Sequence, residues 1–150
     1  MWKRLLHTSD NVTDLILRLA LAVVFFPHGA QKALGWFGGY GFTASLGFFT
    51  GKMGIPTVFA LLAIAAEFLG SLGLFVGLLA RVAAFGIFCN MAMALTMVHS
   101  KMGFFMNWAG QMPAGIEGFE YHILALALAF AVMMQGAGPV SLDRVLSGKR

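Results

Sequence analysis

The chain has 150 residues, of which 59% are hydrophobic and 11% are charged, and its mean hydropathy is +0.83. A water-soluble domain of this size could not hide so much apolar surface, because small domains bury only part of theirs. The formal net charge of +4 comes from 10 scattered lysine and arginine residues, so no clustered basic surface indicates a nucleic-acid partner.

Four long apolar segments follow one another along the chain, and each is close to the ~20 residues that a helix needs to cross a bilayer core. The expected spans are about 14–34, 56–79, 81–99 and 119–136. Thr13 and Asp14 suit a helix start, Pro56 suits a first helical turn, and Gly136 and Pro139 end the last segment. The sequence therefore predicts an all-α membrane protein, a four-transmembrane-helix bundle that forms a single domain in a lipid bilayer.

The connections between these segments differ greatly in length. About twenty residues join the first span to the second, and a similar number join the third to the fourth, whereas the second and third are separated by little more than Arg81. Both long connections therefore lie on one face of the membrane, as two long outer loops. The tight turn lies on the opposite face with both termini.

Basic residues favour the face that holds the termini, and this bias predicts the orientation. That face carries Lys3, Arg4, Arg81, Arg144, Lys149 and Arg150, and the face with the long loops carries Lys32, Lys52 and Lys101. Cytoplasmic segments are enriched in lysine and arginine, so we expect both termini in the cytoplasm.

Both long loops are rich in aromatic residues. In the first, Phe42, Leu46 and Phe49 have the i, i+4, i+7 spacing of a short helix lying in the membrane interface. The second contains Phe105 and Trp108, and aromatic side chains favour the headgroup region. Two interpretations stay open: the loops cover the outer end of the bundle, or they only anchor the protein in the interface.

Ionisable residues within membrane spans are costly and usually face the interior of the bundle. At the ~1.5 Å rise of a helix, Glu67 lies near mid-membrane and His28 lies deep, with Lys32 one turn further along the same face. His99 and the start of the fourth helix fall near the outer interface. We predict a polar pocket with five candidate catalytic residues: His28, Lys32, Glu67, His99 and Glu120.

The alternatives for these residues are structural. Lys32 could extend its ammonium group to the membrane surface, and His99 and His122 could be ordinary interfacial residues. Glu120 and His122 are two residues apart on a helix and point in different directions, so only one can face the pocket. The prediction favours Glu120.

Metal and thiol chemistry have little support in the sequence. The histidines have no HxxxH or ExxH spacing, so no metal site is predicted. Five methionines flank His99, namely Met91, Met93, Met97, Met102 and Met106. Thioethers suit Cu(I), but methionine is also common apolar filling. Cys89 is the single cysteine, so the chain forms no internal disulfide, and we expect Cys89 to be dispensable.

The charge of Glu67, inside the second predicted span, has two possible explanations. Arg18 and Glu67 differ in depth by roughly 8 Å, which a long arginine side chain could nearly span. If they form a pair, both are structural. If they do not, Glu67 belongs to the pocket, and the depth of His28 favours this second hypothesis.

Several short motifs, taken in order, resemble the DoxX family. His28-Gly29-Ala30-Gln31-Lys32 resembles its HGxxK signature, and Glu67 lies in a glycine-rich second helix. Arg81 at the turn, His99 at the end of the third helix and the segment 118–121 follow in the family's order. The segment 136–143 resembles GPGxxSLD, with Ala137 in place of the usual proline. The resemblance covers about residues 12–146.

The resemblance implies a four-helix protein of the bacterial inner (plasma) membrane that is described as an oxidoreductase. Some relatives are linked to quinone reduction, so a quinone is the candidate cofactor or ligand, and a redox partner protein or a homo-oligomer is the candidate partner. We therefore expect a membrane redox-associated subunit that handles a quinone-like or other small ligand in the outer-half pocket. The alternatives are a non-catalytic scaffold or assembly subunit and a small-solute carrier.

Overall fold

A computed structural model describes residues 5–113 and 115–148 of the chain. The described residues are predominantly helical and contain no β-strand. Four of the basic residues used to predict the orientation, Lys3, Arg4, Lys149 and Arg150, lie outside the described residues.

Six α-helices lie within residues 5–113 and 115–148. They are α1 (Val12–Leu34), α2 (Gly41–Gly47), α3 (Thr57–Val76), α4 (Ala80–Met97), α5 (Glu120–Gln135) and α6 (Leu142–Leu146). Short 3-10 turns cover Trp36–Gly38 and His99–Lys101, and a π-helical turn covers Phe48–Lys52.

Three of these segments are long and apolar enough to cross a membrane: α1, α3 and Ala80–Lys101. The fourth predicted span corresponds to α5, which is apolar but has only 16 residues. Large apolar side chains such as Val23, Phe59 and Leu124 remain exposed on the outside of the helices. Such a surface is suited to lipid, so the chain is a membrane protein in a bilayer environment.

The ends of the helices differ from the sequence prediction by a few residues. Asn11 caps α1, because its side chain accepts a hydrogen bond from the backbone N–H of Thr13 at 2.9 Å. The second span ends at Val76 instead of residue 79. Gly77 adopts a left-handed conformation with φ 67° and closes the helix with its backbone N–H.

Close approach of α1 and α3 depends on Gly29. A Cβ atom placed at Gly29 would lie 2.5 Å from the backbone of Phe68, so a larger residue would push the two helices apart. α4 in turn packs against both α3 and α5, around a core that includes Leu21, Phe25 and Ile87. The contact at Gly29 brings the polar face of α1 next to the middle of α3.

Both long connections are ordered and fold back on the bundle. The short helix predicted in the first connection is present as α2, followed by the π-helical turn. In the second connection, the backbone N–H of Gly118 donates to Phe105 O at 3.1 Å, and that of Glu120 donates to Phe104 O at 2.9 Å. This pairing places the segment after His99 alongside the start of α5.

Arg18, Arg81 and Asp143 with their backbone partners form what we call the closed end of the bundle. The guanidinium of Arg18 is fully buried and donates to Leu74 O at 2.8 Å, Phe75 O at 3.3 Å and Val140 O at 3.1 Å. Arg18 therefore joins α1 to the last turn of α3 and to the segment before α6, where helix carbonyls lack partners within their own helix.

Asp143 caps the start of α4. Its carboxylate accepts hydrogen bonds from the backbone N–H of Leu79 at 2.7 Å and of Ala80 at 2.9 Å. Burial raises the pKa of Asp143, and the two amide hydrogen bonds together with the charges of Arg18 and Arg81 oppose that shift. Asp143 therefore links the start of α6 to the tight turn between α3 and α4.

Arg81, at the start of α4, holds the end of α5 by hydrogen bonds. Its guanidinium donates to Met133 O at 2.5 Å, Met134 O at 2.9 Å and His7 O at 3.1 Å. These are carbonyls of the last turn of α5 and of the segment before α1, so one side chain joins three parts of the chain.

Candidate functional site

A cavity of about 900 Å³ lies between α1, α3, α4 and α5, at the end of the bundle opposite the closed end. Both long connections contribute to its wall, through Phe48 and Phe49 from the first and Met102, Met106 and Trp108 from the second. Its polar lining residues are His28, Lys32, Lys52, Glu67, Asn90, His99, Glu117, Tyr121 and His122. Four of the five predicted site residues are therefore brought together in one cavity.

Lys32 and Glu67 form an ion pair on the cavity wall. Lys32 Nζ lies 2.5 Å from Glu67 Oε2, and Asn90 Nδ2 donates to Glu67 Oε1 at 2.9 Å. The Glu67 side chain is 5% exposed and that of Lys32 is 27% exposed. The carboxylate thus has partners on both oxygens, while the ammonium group remains accessible to a bound molecule.

Glu67 and Arg18 do not pair, so the first of the two hypotheses for these charges is wrong. Arg18 bonds backbone carbonyls at the closed end, and Glu67 bonds Lys32 and Asn90 at the cavity end. His28 and Lys32 are one helical turn apart and share a face of α1. This helix therefore supplies two groups to the cavity.

Two histidines meet where α4 ends and α5 begins. The ring centroids of His99 and His122 are 4.2 Å apart, with the ring planes tilted by 39°. His99 Nδ1 lies 2.6 Å from the backbone oxygen of Glu117. Since a carbonyl can only accept, Nδ1 donates in this contact, and Nε2 is the ring nitrogen that the contact leaves unused.

Two buried polar atoms in the cavity wall have no hydrogen-bond partner within residues 5–113 and 115–148. They are the hydroxyl oxygen of Tyr121 and Nδ1 of His122. A buried polar group without a partner is costly, by about 1–3 kcal/mol. Tyr121 and His122 therefore each keep one unpaired polar atom close to the cavity wall.

Glu120 has a different place from the one predicted. It does not line the cavity; its carboxylate accepts from Trp108 Nε1 at 2.6 Å and from the backbone N–H of Met106 at 3.2 Å. Glu120 thus fixes the second long connection against α5. The prediction that Glu120 faces the pocket instead of His122 is wrong in this respect, and His122 lines the cavity in its place.

Helical periodicity in the structure explains the position of His122, although the apolar sequence of α5 did not reveal which side faces inward. Ala125, Ala129 and Val132 are buried, and they follow His122 at helical spacing, so His122 continues the inward face of α5. For Asn90 the sequence contained a weak indication, because it is a polar residue in the middle of an apolar span. Tyr121 had no signal, because tyrosine is common at helix ends near a membrane interface.

Within the described ranges, no three His, Cys, Asp or Glu side chains are grouped so as to hold a metal ion. Thioethers are a separate ligand class, and Met91, Met93, Met97, Met102 and Met106 all line the cavity. Cys89 is exposed on the outside of α4 and is not part of the cavity wall.

The chain is similar to a known protein family. The DoxX family model matches residues 13–100, which include the HGAQK segment, Glu67, Arg81 and His99. No curated protein and no solved structure matches the chain. The matched range covers more than half of the chain, and the motifs within it occupy the wall of the cavity and the closed end, so the chain belongs to the DoxX family.

Proposed function

We propose that the chain is a single-domain, four-helix protein of the bacterial plasma membrane, with both termini in the cytoplasm, that acts as a redox-associated subunit and binds a quinone-like ligand in its cavity. On this proposal α5 is the fourth span. Its ~24 Å length is short for a bilayer core, and local thinning of the bilayer accommodates such a helix.

The cavity has the size and chemistry that such a ligand needs. Ligand pockets commonly enclose about 300–1,000 Å³ and combine apolar walls with a few polar groups that orient the ligand. Here the apolar wall includes Phe25, Phe48 and Phe49, which suit a flat ring, and Lys32 and Tyr121 supply donors for its carbonyl oxygens.

The single observation that carries the proposal is the buried Tyr121 hydroxyl, which has no partner in the described part of the chain and belongs to a residue in the wall of a largely apolar cavity. A quinone carbonyl accepts a hydrogen bond and brings no charge into the membrane, so it satisfies this donor at low cost.

Reduction of a quinone to a quinol takes up two electrons and two protons. Cys89 is the single cysteine, so this chain has no dithiol pair to give the electrons. On the proposal a redox partner protein supplies both electrons. His28 and His99 line the cavity and can pass the protons to the two quinone oxygens.

Ligand binding can be followed through Trp108, whose indole lines the cavity. Purified protein in detergent is titrated with a short-chain quinone while tryptophan fluorescence is recorded. We expect saturable quenching, and Tyr121→Phe should weaken binding about 5- to 10-fold, because one hydrogen bond contributes about 1 kcal/mol.

The chain contains a matched control, since Tyr40 is its other tyrosine and is 88% exposed. Tyr40→Phe should leave quenching unchanged. Equal affinities for wild type and Tyr121→Phe would remove the basis of the proposal. Absence of saturable quenching, together with a stably co-purified partner protein, would favour the scaffold alternative.

The orientation has its own test. A reporter enzyme that is active only in the periplasm is fused after residue 150, and a second fusion places it in the first long connection, after Gly51. The proposal predicts an inactive C-terminal fusion and an active loop fusion. The reverse pattern would place the termini outside.

A further inference from the structure

His99, which passes a proton in the proposed function, is paired with His122, which has no role in that function. Their ring centroids are 4.2 Å apart, so two imidazoles lie side by side in the wall of one cavity. His122 is 5% exposed, and its buried Nδ1 has no partner among the described residues. This arrangement leaves an imidazole nitrogen free inside a cavity.

The environment of His99 is that of a metal ligand. Histidines that bind metals usually donate the other ring N–H to a carbonyl or carboxylate, which fixes the tautomer and orients the ring. His99 Nδ1 makes this bond to Glu117 O at 2.6 Å, so Nε2 is the ring nitrogen left to bind an ion.

Three methionines that are near the two histidines along the chain line the same cavity. The backbone N–H of Met102 donates to His99 O at 3.0 Å, and that of Met106 donates to the Glu120 carboxylate, two residues before His122. Met97 lies two residues before His99 and also lines the cavity. Soft thioethers and neutral imidazoles together select Cu(I) among biological cations.

We propose that this chain binds one Cu(I) ion through His99, His122 and at least one of the thioethers of Met97, Met102 and Met106. The ligands are neutral, so the ion brings a single positive charge. The carboxylate of Glu117 also lines the cavity and balances that charge without replacing a ligand. Zn²⁺ is disfavoured, because it prefers thiolate, imidazole and carboxylate ligands to thioethers.

The test uses full-length protein in detergent, freed of metal and titrated anaerobically with Cu(I) in competition with bicinchoninate, a coloured Cu(I) chelator. We expect one Cu(I) per chain to be withdrawn from the chelator. His122→Ala and the double variant Met102→Leu/Met106→Leu should each lower the affinity at least 10-fold. Met to Leu preserves volume, so the double variant should fold.

Met134→Leu is the matched control, since Met134 is 61% exposed at the far end of α5 and does not line the cavity. X-ray absorption of the Cu(I) form should show both nitrogen and sulfur neighbours, and this reading does not depend on a variant. Spectra without sulfur, equal affinity for Zn²⁺, or no Cu(I) withdrawn from the chelator would each overturn the proposal. Quinone titration of the copper-free protein separates this outcome from that of the proposed function.

Discussion

The two ends of the bundle place charged residues in contrasting surroundings. At the closed end, Arg18, Arg81 and Asp143 all bond backbone groups at helix termini. At the cavity end, Lys32 and Glu67 bond each other, and the imidazole of His122 has no hydrogen bond to another described residue. A charge inside a membrane protein can therefore be structural or functional, and the nature of its partners distinguishes the two.

The physical reason lies in helix ends. The last carbonyls of a helix and the first N–H groups of the next have no partner within their own helix, and lipid offers none. Arg18 and Asp143 satisfy these groups at the tight turn, so removing either leaves several buried groups unpaired. Groups in the cavity wall face an open volume and can exchange partners. Substituting them should therefore reduce the free energy of unfolding less than substitutions at the closed end do, while still weakening ligand binding.

The largest effect is expected at Arg18. Arg18→Leu leaves three carbonyls without their donor and should lower the free energy of unfolding by about 3 kcal/mol or more. Thermal unfolding in detergent, followed by size-exclusion chromatography, measures the loss. In a double-mutant cycle with Glu67→Leu, the effects should add within about 0.5 kcal/mol, because the two residues share no partner. Strong coupling would mean that the two ends are not independent.

Gly77→Ala is expected to have the next largest effect. Gly77 has φ 67°, and a Cβ atom there would collide with Nη1 of Arg18 and Cβ of Ser141. We expect a loss of about 2–4 kcal/mol from backbone strain and displacement of Arg18. Gly47→Ala is the control, because Gly47 has φ −61° and open space around it, and it should be neutral or slightly stabilising. Equal effects of both substitutions would contradict this account of the closed end.

Substitutions in the ion pair of the cavity end should weaken binding and reduce stability less than substitutions at the closed end. Lys32 is partly exposed, but Lys32→Met leaves the buried Glu67 carboxylate with Asn90 as its remaining partner, so the cost should be about 1–2 kcal/mol, less than that of Arg18→Leu. The same variant should weaken quinone quenching of Trp108 about 10-fold, since a charged donor contributes about 1.5 kcal/mol or more. Glu67→Gln combined with Lys32→Met should be less destabilising than the sum of the single changes. A stability loss as large as that of Arg18→Leu would mean that Lys32 and Glu67 stabilise the fold in the same way as the charges of the closed end.

The smallest effect is expected for Cys89→Ser. Cys89 is the single cysteine, faces outward on α4 and lines neither end of the bundle. The unfolding temperature and the quinone affinity should match those of wild type, with any stability change within about 0.5 kcal/mol. Loss of binding in a well-folded Cys89→Ser protein would show that a thiol takes part in the chemistry.

The amino-acid sequence was sufficient to predict the membrane class, the approximate helices and most of the candidate site. Hydropathy is a local property, so apolar segments of the required length can be read directly. The i, i+4 spacing of His28 and Lys32 and the depth of Glu67 likewise follow from helix geometry alone. These three residues, with His99, do line one cavity.

The tertiary structure decided which way each helix is turned and which residues become partners. α5 is apolar on nearly every side, so its periodicity alone did not reveal that His122 faces the cavity and Glu120 the loop. The partners of Arg18 are backbone carbonyls up to 122 residues away. Every residue has such a carbonyl, so no sequence pattern indicates which ones a side chain will contact. Local physics thus determined the helices, whereas contacts between distant segments determined the cavity wall and the closed end.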